Sequence, residues 1–95
     1  MKAICKGTTV AESTDIVTVE GNAYFPDAAR SAAHFRPSDH RTVCGWKGTA
    51  HYYHVVVDGE QFDNAAWYYP EPKPEAAEIR GRVAFWGAVT VEKNA

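Results

Sequence analysis

The sequence predicts a mainly β fold: a small twisted antiparallel sheet folded over on itself, with one short helix. Three observations predict it. β-Branched and aromatic residues fall in many short runs, among them Ile16-Val17-Thr18-Val19 and Tyr52-Tyr53-His54-Val55-Val56-Val57. Turn signals separate those runs, Gly21-Asn22 and Asp58-Gly59 being the clearest. Only the interval from Asp27 to Phe35 has the alanine content of a helix. A chain of 95 residues makes one domain, residues 1–95. At that size it buries roughly 60–70% of its unfolded surface, enough for a core without obligatory staples.

Residues 3–12 alternate loosely around Ile4, Val10 and Ala11 and read as a first strand broken at Gly7. Ser13, Thr14 and Asp15 form a turn, because their side chains compete for backbone groups. Ile16 to Glu20 is one hairpin arm, Gly21-Asn22 its two-residue turn and Ala23 to Phe25 the return. Pro26 ends that arm. Asp27 to Phe35 is the helix, with Asp27 in its first turn, where negative charge is favoured. So short a helix survives only if Phe35 and the alanines pack on something. Arg36-Pro37-Ser38-Asp39 then breaks it.

Arg41 to Cys44 is a strand, Gly45-Trp46-Lys47-Gly48 a turn and Thr49 to Val57 the longest strand. On it Ala50, Tyr52, His54 and Val56 face one way; Thr49, His51, Tyr53, Val55 and Val57 face the other. After Asp58-Gly59 the return arm runs from Glu60 to Tyr69, with a bulge or kink at Asp63-Asn64. Pro70, Pro72 and Pro74 impose an extended connection. Glu75 to Ile79 makes one helical turn, and Gly81 resets the chain. Val83 to Trp86 and Val89 to Glu92 read as a last pair of strands around Gly87-Ala88.

Charge and composition exclude several classes. Net charge is −2 and no run of like charges occurs, so no nucleic-acid partner is expected. No apolar stretch reaches the ~18–20 residues of a spanning helix, so no membrane partner is expected. The N-terminal MKAICKGTTVAES lacks the apolar core of a signal peptide. Cys5 and Cys44 make no disulfide framework and read as free thiols in a reducing cytosol. The expected location is cytoplasmic.

Chemistry concentrates in PSDHRTVCGWKGTAHYY, residues 37–53, and in NAAWYYPEP, residues 64–72. A thiolate at Cys44 would be favoured by the ammonium of Lys47. Lys47 would alternatively act as a point charge for phosphate or carboxylate, with glycine-flanked backbone N–H groups around it. The bland alternative is a tight turn, with Cys44 a small buried hydrophobe and Lys47 solvated. His34, His40, His51 and His54 cluster in sequence, but without a close ligand pair; no metal and no cofactor are expected. The aromatics Tyr52, Tyr53, Trp67, Tyr68, Tyr69, Phe85 and Trp86, with Trp46 near, sit at consecutive positions. The bland reading is core; but alternation sends consecutive strand residues to opposite faces, so they cannot all share one core, and the alternative is that some line a cleft or an interface.

The segments VEGNAYFP (19–26), PSDHRTVCGWKGTAHYY, NAAWYYPEP and GRVAFW (81–86) resemble the signature of a small bacterial family. It is catalogued as domain of unknown function 427 and sometimes labelled a predicted nucleotidyltransferase. The resemblance runs over nearly the whole chain, in order. It implies a β-tent-like open barrel, related in shape to the β domain of methionine sulfoxide reductase type B. The family usually carries proline after this cysteine, where this chain has Gly45, so a rigid turn becomes a flexible one.

Three functional readings follow. The leading one is a pocket for an unknown small molecule or anion, with Trp46, Tyr52, His54 and Trp67 as wall and Lys47 and Arg82 as polar anchors. Were it an enzyme, Cys44 would be the nucleophile or Lys47 the electrostatic stabiliser. The second is a non-catalytic interaction module or homo-oligomer that uses exposed aromatics. The third is the nucleotidyltransferase of the family label. That chemistry needs paired carboxylates holding metal ions, and Asp58, Glu60 and Asp63, the acids nearest the motif, read as a hairpin tip.

Overall fold

Period-two patterning does organise the chain. A computed structural model describes residues 1–93. Their strands are β1 (Lys2–Cys5), β2 (Thr8–Glu12), β3 (Val17–Val19), β4 (Asn22–Tyr24), β5 (Phe35–Cys44), β6 (Gly48–Val57), β7 (Glu60–Tyr68), β8 (Val83–Phe85) and β9 (Val89–Glu92). They pair antiparallel in three sheets, ordered β2-β1-β9, β3-β4 and β5-β6-β7-β8. The mainly β class and the small unclosed sheets agree with the sequence reading. No helix among the described residues is long and apolar enough to cross a membrane.

The four-stranded sheet carries apolar side chains on both faces. One face, with Phe35, Val55, Val57, Ala66 and Phe85, joins Ala3, Cys5, Val10 and Ala11 of the three-stranded sheet in the larger core. Phe25 lies fully buried in it, edge-on to Phe85 at 5.5 Å between ring centroids. The other face, with Ala50 and Ala84, joins Tyr24, Tyr69, Ala76 and Ile79 in a second, smaller core. Tyr52 and Trp67 pack against this second core, and Tyr53 and Tyr68 against the first. The register pairs Tyr52 with Trp67 and Tyr53 with Ala66, so the alternation read from the sequence holds.

Four local expectations are corrected. The hairpin turn between β3 and β4 is Glu20-Gly21, one residue earlier than Gly21-Asn22. Both turn residues take positive φ, 54° and 79°, as a tight two-residue hairpin demands. The helix expected over Asp27–Phe35 is two single 3-10 turns, Asp27–Ala29 and Ala32–His34. Arg30 is extended between them and bridges to Ala11, so sheet pairing outweighs alanine propensity. Arg36 to Asp39 does not end an element but lies inside β5, accommodated by a register shift between Pro37 and Arg41. Finally, β8 and β9 do not pair with each other: β8 lies beside β7, and β9 beside β1. The Gly87-Ala88 segment therefore carries the chain from one sheet to the other.

The Asp63-Asn64 bulge is present and has a structural partner. Three residues, Asp63 to Ala65, span the step where β6 spends only His54. Asn64 takes φ 53°, its N–H donates to His54 Nδ1 at 3.0 Å, and its side-chain oxygen accepts from the Ser38 hydroxyl. The irregularities of β5 and β7 are thus clasped across β6. This explains why Ser38, a polar residue, is only 7% exposed.

Candidate functional site

Alternation sets Tyr52 of β6 and Trp67 of β7 side by side on the face of the smaller core. Trp86, two residues past Ala84 of β8, follows on the same side. These three rings, with Tyr69 and Lys47, line a cleft of about 230 Å³. The rings are held in place by their polar tips. The Trp67 indole N–H donates to the Tyr24 hydroxyl at 3.1 Å, and the two rings meet edge to face. The Tyr52 hydroxyl bonds Thr42 Oγ1 at 2.9 Å, and its ring lies 4.7 Å from that of His40. The Trp86 indole N–H donates to the Asn64 carbonyl at 2.6 Å.

Lys47 enters from the loop between β5 and β6. Residues 71–73 pin that loop: Lys73 N–H donates to the Lys47 carbonyl at 2.9 Å, and Lys73 Nζ to the Gly45 carbonyl at 2.6 Å. Gly48 closes the loop with φ 116°, and a Cβ there would stand 3.4 Å from the Glu71 carbonyl oxygen. Only glycine meets both demands. Gly45 is different: its φ is not positive, and a Cβ would meet open space. Gly45→Ala is therefore expected to raise stability by about 0.4–1 kcal/mol, by narrowing the unfolded ensemble. A denaturant midpoint that falls instead would mean the loop needs glycine here.

Lys47 is the one charged residue buried among the described residues, at 7% exposed overall. Its ammonium is paired with the Glu20 carboxylate at the β3–β4 turn. It also lies 5.4 Å from the Trp46 ring centroid and 5.8 Å from that of Tyr69, over π faces that favour a cation. Burial pulls the amine's pKa down. The bond to Glu20 and the nearby Tyr24, Tyr69 and Cys44 groups outweigh it, and the net shift is upward. The Glu20 carboxyl moves below its ordinary value, mainly through the hydrogen bond from Lys47. Lys47 is accordingly a fixed cation at neutral pH. Burial pushes the Tyr69 hydroxyl up to about 12, so it stays neutral well above physiological pH.

Of the residues expected from sequence to form the pocket, Lys47, Tyr52 and Trp67 line one cleft. Trp46 stands behind Lys47, its indole N–H 3.4 Å from Glu20 Oε2. Cys44 is half-buried and packs against the smaller core without lining the cleft. His54 is engaged in the β7 bulge, with Asp63 Oδ1 3.6 Å from its Nδ1. Arg82 holds the Asp15 carboxylate at 3.1 and 3.2 Å, away from the cleft. Three contributors were not picked out from the sequence. Tyr69 and Trp86 belong to the aromatic set, but their side of the sheet was not assigned. Glu20 lies 27 positions from Lys47 and looks like an ordinary turn acid.

A second depression, about 520 Å³, is lined by Thr49, His51, Pro70 and Glu71 on the opposite face of β6. It holds no buried charge, and burial, then Arg41, keeps His51 below its ordinary pKa. The acids Asp58, Glu60 and Asp63 do not converge: Glu60 pairs with Lys6, and Asp63 accepts from Gln61. Among the described residues no three His, Cys, Asp or Glu side chains gather as a metal set would.

No curated protein matches the chain. A family model described as a domain of unknown function (DUF427) matches residues 1–94, and the chain belongs to that family.

Proposed function

We propose that the protein binds a small molecule in the cleft of Tyr52, Trp67, Tyr69 and Trp86, with Lys47 as its polar anchor. One observation carries this reading: a buried ammonium and several locked rings converge on one recess. A volume of about 230 Å³ lies below the ~300–1,000 Å³ of drug-sized sites, which points to a single-ring ligand rather than a whole nucleotide.

The test is a thermal-shift screen of ring-bearing acids, sugar phosphates and nucleotides. Lys47→Met is expected to abolish the response to an anionic hit, a loss of tenfold or more in affinity. It should leave stability nearly unchanged, because Met keeps most of the buried volume and the Glu20 carboxylate left behind already stands half in water. An anionic hit whose affinity survives Lys47→Met removes the anchor from this reading.

The second reading, a contact between copies, draws on the exposure of Val43 at 80% and Trp86 at 56%. It predicts no ligand response and a dimer in solution that Trp86→Ala splits. The nucleotidyltransferase reading draws no support from the scattered acids. Metal-dependent release of pyrophosphate from a nucleoside triphosphate would revive it.

A further inference from the structure

Glu20 holds Lys47 with an asymmetry that bears on the ligand. The Lys47 side chain is 9% exposed and that of Glu20 51%. The lysine side chain is nearly out of water, whereas the carboxylate already stands half in it. Breaking the pair would leave Lys47 uncompensated and Glu20 resolvated, so Lys47 is the member that needs a replacement partner. The partner that Lys47 now holds is itself a carboxylate: Glu20 Oε1 accepts from the ammonium, and Oε2 lies 3.4 Å from the Trp46 indole N–H, outside the cleft lining. Glu20 projects from a two-residue turn of the two-stranded β3-β4 sheet, not from the sheet that carries the rings.

Resting on the cleft reading above, we infer that the ligand is a planar single-ring carboxylate, and that Glu20 is the internal competitor it must displace from Lys47. The ring of such an acid lies among Tyr52, Trp67 and Trp86, and its carboxylate takes the ammonium in place of Glu20. Glu20 then sets the threshold for binding. A neutral ring gains nothing from the ammonium, and a small inorganic anion gains nothing from the rings. The class favoured is the one that satisfies both.

The probe is benzoate, with benzamide as its neutral isostere and inorganic phosphate as the ringless anion, titrated by tryptophan fluorescence. Wild type is expected to bind benzoate, and Glu20→Gln to bind it at least tenfold more tightly. Benzamide affinity should be the same in both, and phosphate should bind each more weakly than benzoate. Glu20→Gln leaves a buried ammonium facing a neutral amide, so a measurement on wild type is paired with it. By carbon NMR at neutral pH, where benzoate stays ionised, the Glu20 carboxyl resonance should shift on saturation with benzoate, because Lys47 no longer faces it. If wild type binds benzoate and Glu20→Gln binds it no more tightly, or if the Glu20 carboxyl resonance ignores benzoate, the competitor role is overturned and the cleft stands. If phosphate matches benzoate in wild type, the ring is irrelevant and the ligand class is overturned. If neither protein binds any of the three probes, this inference is overturned, and the cleft reading then rests on the wider screen.

Discussion

Tyr24→Ala is expected to lower stability by about 3–5 kcal/mol, the range for removing a large buried ring. Tyr24 is completely buried on β4, and it joins two parts of the molecule. Its ring packs in the smaller core with Ala84 and Ile79, which ties the β3–β4 hairpin to the four-stranded sheet. Its hydroxyl accepts the Trp67 indole N–H. Truncation opens a cavity, frees the hairpin that presents Glu20, and releases a wall of the cleft. Against a typical total of about 5–15 kcal/mol, that is a large fraction. Denaturant unfolding followed by tryptophan fluorescence measures it. Tyr24→Phe separates the two contributions, because it keeps the ring and strands the indole N–H, at about 1–3 kcal/mol. A loss below about 1 kcal/mol for Tyr24→Ala would show that the hairpin does not depend on this ring.

Alkaline pH is expected to have the second large effect. The Tyr69 hydroxyl is raised from 10.0 to about 12, chiefly by burial. Between those values the folded state keeps a proton that the unfolded chain has lost, so stability falls as pH rises. It is fully present below about pH 10 and gone above about pH 12. Two pKa units correspond to about 2–3 kcal/mol. Burial raises Tyr24 and Tyr53 as well, and Lys47 is raised by its pairing, so all three act in the same direction. The melting temperature should therefore drop by roughly 10–20 °C across that window. Tyr69→Phe should flatten much of the drop. A melting temperature that stays level from pH 10 to 12, or a Tyr69 that ionises near 10 in the folded protein, contradicts the burial on which the cleft depends.

Much of the fold was legible because it is local. The Asp58-Gly59 turn, the long strand after Gly48 and the Asp63-Asn64 bulge each follow from residues adjacent in sequence. So did the split of the aromatics: Tyr52 against Tyr53, and Trp67 against Tyr68, are assigned to opposite faces by strand geometry alone. The errors lie where local preference competed with distant pairing. The alanines of 28–33 favour a helix, but Arg30 was taken by Ala11. Residues 83–86 and 89–92 look like a hairpin, but β7 and β1 supply better partners.

The site divides the same way. Cys44, Lys47, Tyr52 and Trp67 stood out by type and spacing, and three of the four line one recess. His54 and Arg82 stood out equally, and their neighbours Asn64 and Asp15 claim them instead.

By itself the sequence determined the β class, the positions of most turns and which aromatics oppose which across a strand. Each is a consequence of backbone sterics acting within a few residues. Only the tertiary structure decided that Glu20 meets Lys47, that Tyr24 positions Trp67 and that Trp86 completes the wall. Those contacts join residues 19 to 43 positions apart, and they exist only once burial of two cores on one sheet has brought the hairpin, the loop and the end of β8 together.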